Sequence, residues 1–288
     1  MADEDRTIGL DDEALASLPT VYGPAAYAGR TVLISGGAGG IGRATAWLLG
    51  RCGARLVLAG RNRDKLAAAV DALAAKGISA TAHTVDIREP DSVAELYVRL
   101  QAEGGFDILI NSAGGQFPQA AIDFSVKGWN TVVNTNLNGT WHMMQGAARA
   151  WRDAGRPGSI VTIVVVTQRG LHGVAHTIAA RSGVVGLTRA LAVEWAPLRI
   201  RVNCIAPGVI ETPGWKVYDP KALEAYPHSN PMMRTGTTWE VAEACAYIAG
   251  PGAAYVTGEV LNVAGGAQLW GDTWTVGKPA YFNPPDRN

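Results

Sequence analysis

Short runs of consecutive apolar residues alternate along this chain with longer stretches whose apolar positions recur every three or four residues. The first run, Val32-Leu33-Ile34, reads as a strand buried on both faces of a parallel sheet. It breaks into Gly36, Gly37, Gly39, Gly40 and Gly42 and resumes as a helical pattern over residues 44–49. Further strands are predicted at 55–59, up to 84–87, and at 106–110, 159–166, 200–205 and 259–263. Between them the spacing predicts helices over 64–76, 91–103, 127–151, 179–195 and 238–249; Gly77 stops the first of these and Pro90 opens the second. No linker interrupts the alternation, so the 288 residues are read as a single α/β domain. Residues 1–29 form an arm lying on that domain or on a neighbouring subunit, and 267–288 form an aromatic tail with Trp270, Trp274, Tyr281 and Phe282. Large rings so close to a terminus are expected to dock against another subunit. Residues 213–235 are irregular and carry Trp215, Tyr218 and Tyr226, the pattern of a substrate-covering lid or of a plain surface excursion.

The glycine cluster sits between a strand and a helix, where chemistry enters. A turn of glycines lets backbone approach a diphosphate, and the helix that follows offers free N–H groups and a positive dipole end. The spacing Gly36-x-x-x-Gly40-x-Gly42 differs from the commonest dinucleotide turn, and glycines alone also build purely structural loops; the flanking strand and helix favour a dinucleotide. At the end of the second strand, where a carboxylate would hold a free ribose 2′-hydroxyl, the chain places Gly60-Arg61-Asn62-Arg63, with Arg43 near the turn. Cations there suit a 2′-phosphate, so NADP(H) is expected rather than NAD(H), unless these arginines are simply solvated. Asp86 ends the third strand, where a carboxylate suits the adenine amino group. Asn111-Ser-Ala113-Gly114-Gly115 is a second turn that lets backbone meet a ligand. Asn134, Asn136 and Asn138 are poor helix formers inside a helical stretch, which assigns Asn136 a task unless all three are exposed. Pro207 is expected to stop strand pairing, and the backbone through Thr212 to lie along the cofactor.

Composition narrows the partners. Lys plus Arg and Asp plus Glu balance at 25 each, which gives no reason to invoke nucleic acid or an anionic membrane. Cys52, Cys204 and Cys245 are odd in number and scattered, as suits buried thiols in a reducing compartment, and the five histidines have no metal-ligand spacing. The acidic start lacks the apolar core of a leader, and no run approaches the ~18 residues that span a bilayer, so a cytoplasmic protein is expected.

The ordered set Ser35-Gly36-x-x-x-Gly40-Ile41-Gly42, Asp86, Asn111-Ser-Ala-Gly114, Asn136, Pro207-Gly208 through Thr212, and Tyr255-x-Thr257-Gly258 resembles the short-chain dehydrogenase/reductase family over residues 31–266. The resemblance implies a Rossmann-like doubly wound sheet of seven parallel strands and a nicotinamide dinucleotide touching these motifs together with Arg61, Asn62, Ile87, Ile210 and Arg181. It implies a homotetramer built on the helices around 127–151 and 179–195, and it places Asn136 in the catalytic group. By the same resemblance the family's Tyr-x-x-x-Lys falls on Thr177-Ile-Ala-Ala-Arg181, and its serine on Val164 or Val165. A threonine is a far poorer acid than a phenol, and losing a positioned acid costs ~10²–10⁴ in rate.

Hydride delivery to the β-carbon of an unsaturated thioester survives such a loss better, because the enolate formed delocalises its charge and can take a proton late. Around the gap, Gly115-Gln116-Phe117, Lys127-Gly128-Trp129, Thr135-Asn136-Leu137-x-Gly139-Thr140, His176-Thr177 and Ala179-Ala180-Arg181 resemble peroxisomal trans-2-enoyl-CoA and dienoyl-CoA reductases. Arg181 would then replace the lysine on the nicotinamide ribose. Thr177 or Thr167 would bond the thioester oxygen or a water, or merely cap backbone. His176 faces the pocket or serves packing, and Trp215 and Tyr218 would line an acyl pocket. The chain ends without a Ser-Lys-Leu address, Ala264 stands where the family often has aspartate, and the tail resembles bacterial citronellol and citronellal dehydrogenases. Three functions follow: an NADPH-dependent reductase of an activated C=C bond in an unsaturated acyl substrate, an NADP-dependent dehydrogenase of a terpenoid alcohol, or a redox-silent dinucleotide-binding scaffold or isomerase.

Overall fold

The structure is a computed structural model and describes residues 8–271, 275, 278, 279 and 282; Trp274 and Tyr281 of the expected tail lie outside the described residues. The strands are β1 (Thr31–Ser35), β2 (Arg55–Gly60), β3 (Ala80–Thr84), β4 (Ile108–Asn111), β5 (Gly158–Ile163), β6 (Ile200–Pro207), β7 (Ile210–Glu211), β8 (Gly236–Thr237) and β9 (Val260–Val263). The helices are α1 (Asp12–Ser17), α2 (Gly40–Arg51), α3 (Arg63–Ala74), α4 (Pro90–Ala102), α5 (Val126–Val133), α6 (Thr140–Asp153), α7 (Ala175–Glu194), α8 (Pro220–Ala225) and α9 (Thr238–Ala249). Seven strands form one parallel sheet in the order β3-β2-β1-β4-β5-β6-β9, and β7 pairs with β8 outside it.

Alternate residues of each central strand feed opposite layers. Val32 and Ile34 pack with Leu15 of α1, Trp47 of α2, Leu66 of α3 and Val241 of α9, whereas Leu33 packs with Leu96 of α4, Met143 of α6 and Leu191 of α7. Both faces of the sheet are thus covered, which is why the central strands read as unbroken apolar runs while the edge strand β3, Ala-Thr-Ala-His-Thr, does not. The strand order reverses between β1 and β4, and the crevice beyond their carboxyl ends is where such sheets bind ligands. No helix among the described residues is long and apolar enough to cross a membrane. The three cysteines are buried and unpaired.

Three expectations need correction. The pairing of β6 runs through Pro207, whose partner is Val263; proline lacks only the donor, and the Gly208 N–H supplies the next bond, to the Val263 carbonyl at 2.9 Å. The strand expected to reach Val166 ends at Ile163, although the Val164 N–H still bonds the Ile205 carbonyl. The single helix expected over 127–151 is broken: α5 and α6 are joined by a π-helical segment, Asn134–Gly139. Poor helix formers make that widened turn inexpensive there, and tertiary bonds described below hold it open.

The arm lies on its own domain. Asp11 caps α1, Leu15 is buried, and the Trp47 indole donates to Asp12 at 2.7 Å. Tyr27 is buried with its hydroxyl donating to the Ala246 carbonyl of α9. Gly9, at φ +91°, packs so closely that a side chain there would meet the Glu211 carbonyl at 3.3 Å and Pro213 at 3.5 Å.

Candidate active site

A cleft of about 1910 Å³ opens over the carboxyl edge of the sheet. Its floor is the turn between β1 and α2. Gly36 adopts φ +72°, and a Cβ on it would lie 2.8 Å from the Ala113 nitrogen of the neighbouring turn. Gly40 is also left-handed, at φ +48°, while Gly39 has open space where a side chain would be. Helix α2 begins at Gly40 with no side-chain cap and no acid in its first turn. Its free N–H groups and dipole therefore face the cleft unneutralised, as a diphosphate cradle requires. Gly42 stands behind the lining, where a Cβ would strike the Gly36 carbonyl at 2.4 Å.

The second turn is shaped by Asn136. Its buried carboxamide accepts from the Gly115 N–H at 3.1 Å and donates to the Gly115 carbonyl at 2.9 Å. The π segment puts Asn136 in that position, and Thr140 donates to the Asn136 carbonyl at 3.0 Å. Asn134 and Asn138 remain exposed and bond each other. Arg181, on α7, lies under the same turn: a Cβ on Gly114 would be 2.2 Å from its Nη2. The guanidinium is buried and its Nη1 has no partner. Burial lowers its pKa to about 10, opposed by the Cys204 thiol, whose own value burial raises to about 11. Arg181 therefore stays cationic at neutral pH with an unspent donor. Buried charge without a partner is costly, and ribose hydroxyls would satisfy it.

Arg43, Arg61, Lys65, Arg169 and Arg181 all line the cleft, and no carboxylate does among the described residues. A nicotinamide dinucleotide fits this donor set: glycines at closest approach, an uncapped helix end, and cations without acids.

Residues 36–268 match the family model described as enoyl-(acyl carrier protein) reductase. The chain belongs to the short-chain dehydrogenase/reductase family. It is 35% identical over 256 residues to a glucose 1-dehydrogenase of Gluconobacter oxydans (strain 621H), covering 85% of this chain and 94% of that one. It is 34% identical over 246 residues to a probable 2,4-dienoyl-CoA reductase of Bacillus subtilis (strain 168), covering 83% and 97%. Among solved structures, a citronellol catabolism dehydrogenase of Pseudomonas aeruginosa PAO1 superposes with TM-score 0.78 at 35% identity, over 87% of this chain and 100% of that one. A putative NAD(P)-dependent gluconate 5-dehydrogenase of Beutenbergia cavernae with bound NADP superposes with TM-score 0.80 at 34% identity, over 85% and 99%. As a short-chain dehydrogenase/reductase the chain is an oxidoreductase of a nicotinamide dinucleotide.

Of the residues the family motifs single out, Gly36, Gly40, Ile41, Arg61, Asn62, Ala113, Gly114, Asn136, Thr177, Arg181, Pro207, Gly208, Ile210 and Thr212 line the cleft. Others stand behind it. Ser35 and Asn111 form a buried polar chain: Ser35 Oγ donates to Asn111 Oδ1 at 3.4 Å and accepts from the Ala113 N–H at 3.3 Å, and Asn111 reaches Thr162 at 3.4 Å. They fix the height of the second turn from below. The Asp86 carboxylate is held by Arg88 at 2.9 Å and 3.1 Å, and that guanidinium keeps its pKa below the usual range. Ile87 packs on the π segment, where Gly139 leaves room 2.7 Å from it. Thr167 lies outside the lining. Asn62 caps α3 by accepting from the Lys65 N–H, and Arg43 is held by Asp12 and the Leu10 carbonyl.

His176 does not face the cleft. It is buried between Phe124, stacked at 4.5 Å, and Phe117, edge-on at 4.7 Å, and burial lowers its pKa, so it remains neutral. Thr177 beside it lines the cleft with a buried hydroxyl that has no partner. Val164 and Val165 line the cleft as well.

Sequence reasoning left Lys65, Arg169 and Gln116 without roles. Lys65 sits on the first turn of α3, close behind Arg61, a signal that helix position alone offered. Gln116 Nε2 donates to the Tyr218 hydroxyl across 102 residues of chain, which no local pattern announces. Tyr218, Tyr226 and Trp215 form an edge-to-face set over the cleft, at 5.2 Å and 6.2 Å between centroids. Trp270 lines this same cleft and stacks on Phe282 at 6.0 Å, so this part of the tail turns to its own domain.

Proposed function

We propose that this chain is an NADPH-dependent reductase of a carbon–carbon double bond conjugated to a thioester-type carbonyl. The observation that carries the reading is the wall built by the end of β5 and the start of α7. It presents Val164, Val165, Thr177 and Arg181 to the cleft, a permanent cation and one unspent hydroxyl with no acid that titrates near neutral pH. Ketone reduction needs a proton at the oxygen as hydride arrives, whereas a conjugated alkene needs only a donor that stabilises the enolate oxygen. Lys65 and Arg61 line the cleft beside the end of β2, where the neighbouring Asp64 does not, and they favour the 2′-phosphate of NADPH. The excess of cations along the cleft also suits an anionic acyl thioester.

The cofactor, when bound, supplies hydride. Arg181 holds the ribose hydroxyls next to the nicotinamide, and its buried charge orients them without titrating. Thr177 donates to the substrate oxygen. Asn136 locks Gly115 and so fixes the backbone of the second turn, which would border the bound nicotinamide. Steady NADPH consumption with crotonyl-CoA, and faster consumption with longer enoyl-CoA esters, is the expected result. NADP⁺ reduction by citronellol without enoyl-CoA turnover would replace this reading with terpenoid alcohol dehydrogenation, for which the phenols of the lid are the supporting observation. Tight NADPH binding without turnover of either substrate would leave the redox-silent scaffold.

A further inference from the structure

The wall that lacks an acid faces a lid that carries two. Tyr218 and Tyr226 line the cleft, as do His172 and His228, but both histidines are exposed to solvent. Tyr226 is wedged between Trp215 and Tyr218, so its ring serves to hold its neighbours. Among these described phenols and imidazoles, only the Tyr218 hydroxyl is bonded to another side chain, the Gln116 amide.

Two features of that bond matter. Gln116 donates, so the phenolic hydrogen of Tyr218 remains available to a ligand, and an N–H aimed at the phenol oxygen also stabilises the phenolate left after proton transfer. Second, Gln116 has little freedom: it follows Gly115, whose N–H and carbonyl are both held by Asn136, and Gly114 lies against Arg181. A chain of fixed contacts thus ties the Tyr218 hydroxyl to the turn that borders the reacting end of the cleft.

We propose that Tyr218 is the proton donor of this enzyme, carried in by the lid instead of by α7, with Gln116 as its positioning residue. This rests on the reading of the chain as an active reductase. Hydride adds to the β-carbon with its electron pair, the π electrons move onto the carbonyl oxygen, and the resulting enolate re-forms the carbonyl as its α-carbon takes the Tyr218 proton and the phenol O–H bond breaks. Water entering the open cleft reprotonates the phenolate. In the alcohol direction the Tyr218 phenolate, its proton given up to water in the cleft, accepts the hydroxyl proton as hydride leaves the carbon, so the assignment does not depend on which bond is reduced.

The test is Tyr218→Phe, which keeps the ring, and Gln116→Ala, each assayed with crotonyl-CoA and NADPH and with citronellol and NADP⁺. Tyr218→Phe is expected to lower kcat by ~10²-fold or more with KM changed by less than ~3-fold. Gln116→Ala is expected to lower kcat with KM little changed, because the Tyr218 hydroxyl loses the amide that positions it. Independently of turnover, the affinity of cofactor-free protein for crotonyl-CoA, or for citronellol should only that alcohol be turned over, is expected to change by less than ~3-fold in Tyr218→Phe by calorimetry, which places the loss in proton transfer. A raised KM with kcat intact would make the lid contact merely structural and overturn the proposal. If only citronellol is turned over and Tyr218→Phe eliminates that activity, the alkene reading fails while this assignment stands. If the wild-type chain turns over neither substrate, both fail.

Discussion

At the diphosphate end the cleft is walled by backbone; at the lid end it is walled by side chains. The first wall is Gly36, Gly39 and Gly40 with the open start of α2, and it binds through backbone: Gly36 and Gly40 hold left-handed conformations, and no side chain covers Gly39. The second wall is Thr177, Arg181, Val165, Tyr218 and Trp215, and it binds by what those side chains present. A backbone site offers few ways to vary and reads the same throughout a family. A side-chain site can change its reaction with two or three substitutions while the cradle stays put. This accounts for a chain that matches a glucose dehydrogenase, a dienoyl-CoA reductase and a citronellol dehydrogenase almost equally well.

The contrast can be broken most forcefully at Gly36. Gly36→Val places a branched residue at φ +72° against the Ala113 backbone, and a cost of about 2–4 kcal/mol in strain and overlap is expected. NADPH titration should show binding lost and thermal melting should show a lowered Tm; retained affinity would mean that the cradle lies elsewhere. Arg181→Met is expected to weaken NADPH at least tenfold, about 1.4 kcal/mol, without lowering the melting temperature of the cofactor-free protein, since its buried Nη1 has no protein partner. With a pKa of about 10, Arg181 keeps its charge through neutral pH, so NADPH affinity should be flat from about pH 6 to 8 and fall as pH rises through that value. Arg61→Ala should reduce the NADPH over NADH preference by about tenfold, the loss of one charge-assisted contact, measured as a ratio of kcat/KM. The smallest effect is expected for His176→Phe, whose ring sits among Phe117 and Phe124. Its kcat/KM should stay within about twofold, and a large loss would return His176 to the catalytic wall.

The legible parts of this molecule are those whose causes are local. The run Val32-Leu33-Ile34 and the glycines after it announce a strand and a turn because both depend on neighbouring residues only. Helix α9 spans the expected 238–249, and its start is set locally, by a capping box of Thr237 and Glu240. The π segment was not readable, since Asn136 is drawn out of register by Gly115, 21 residues away. Asp86 looked free for adenine, and nothing in the strand pattern showed that Arg88 would fold back onto it. The lid bond between Gln116 and Tyr218 likewise depends on two segments that only the folded sheet brings together.

One contact of the arm links its docking to the chemistry. Gly9 is seated against Glu211 and Pro213, on either side of Thr212 in the cleft lining, while Asp12 and the Leu10 carbonyl grip Arg43, another lining residue. Whatever pulls residues 9–12 away must loosen both of these lining segments at once. By thermodynamic reciprocity, a ligand that clamps those segments must also shield this peptide from proteases and from amide exchange.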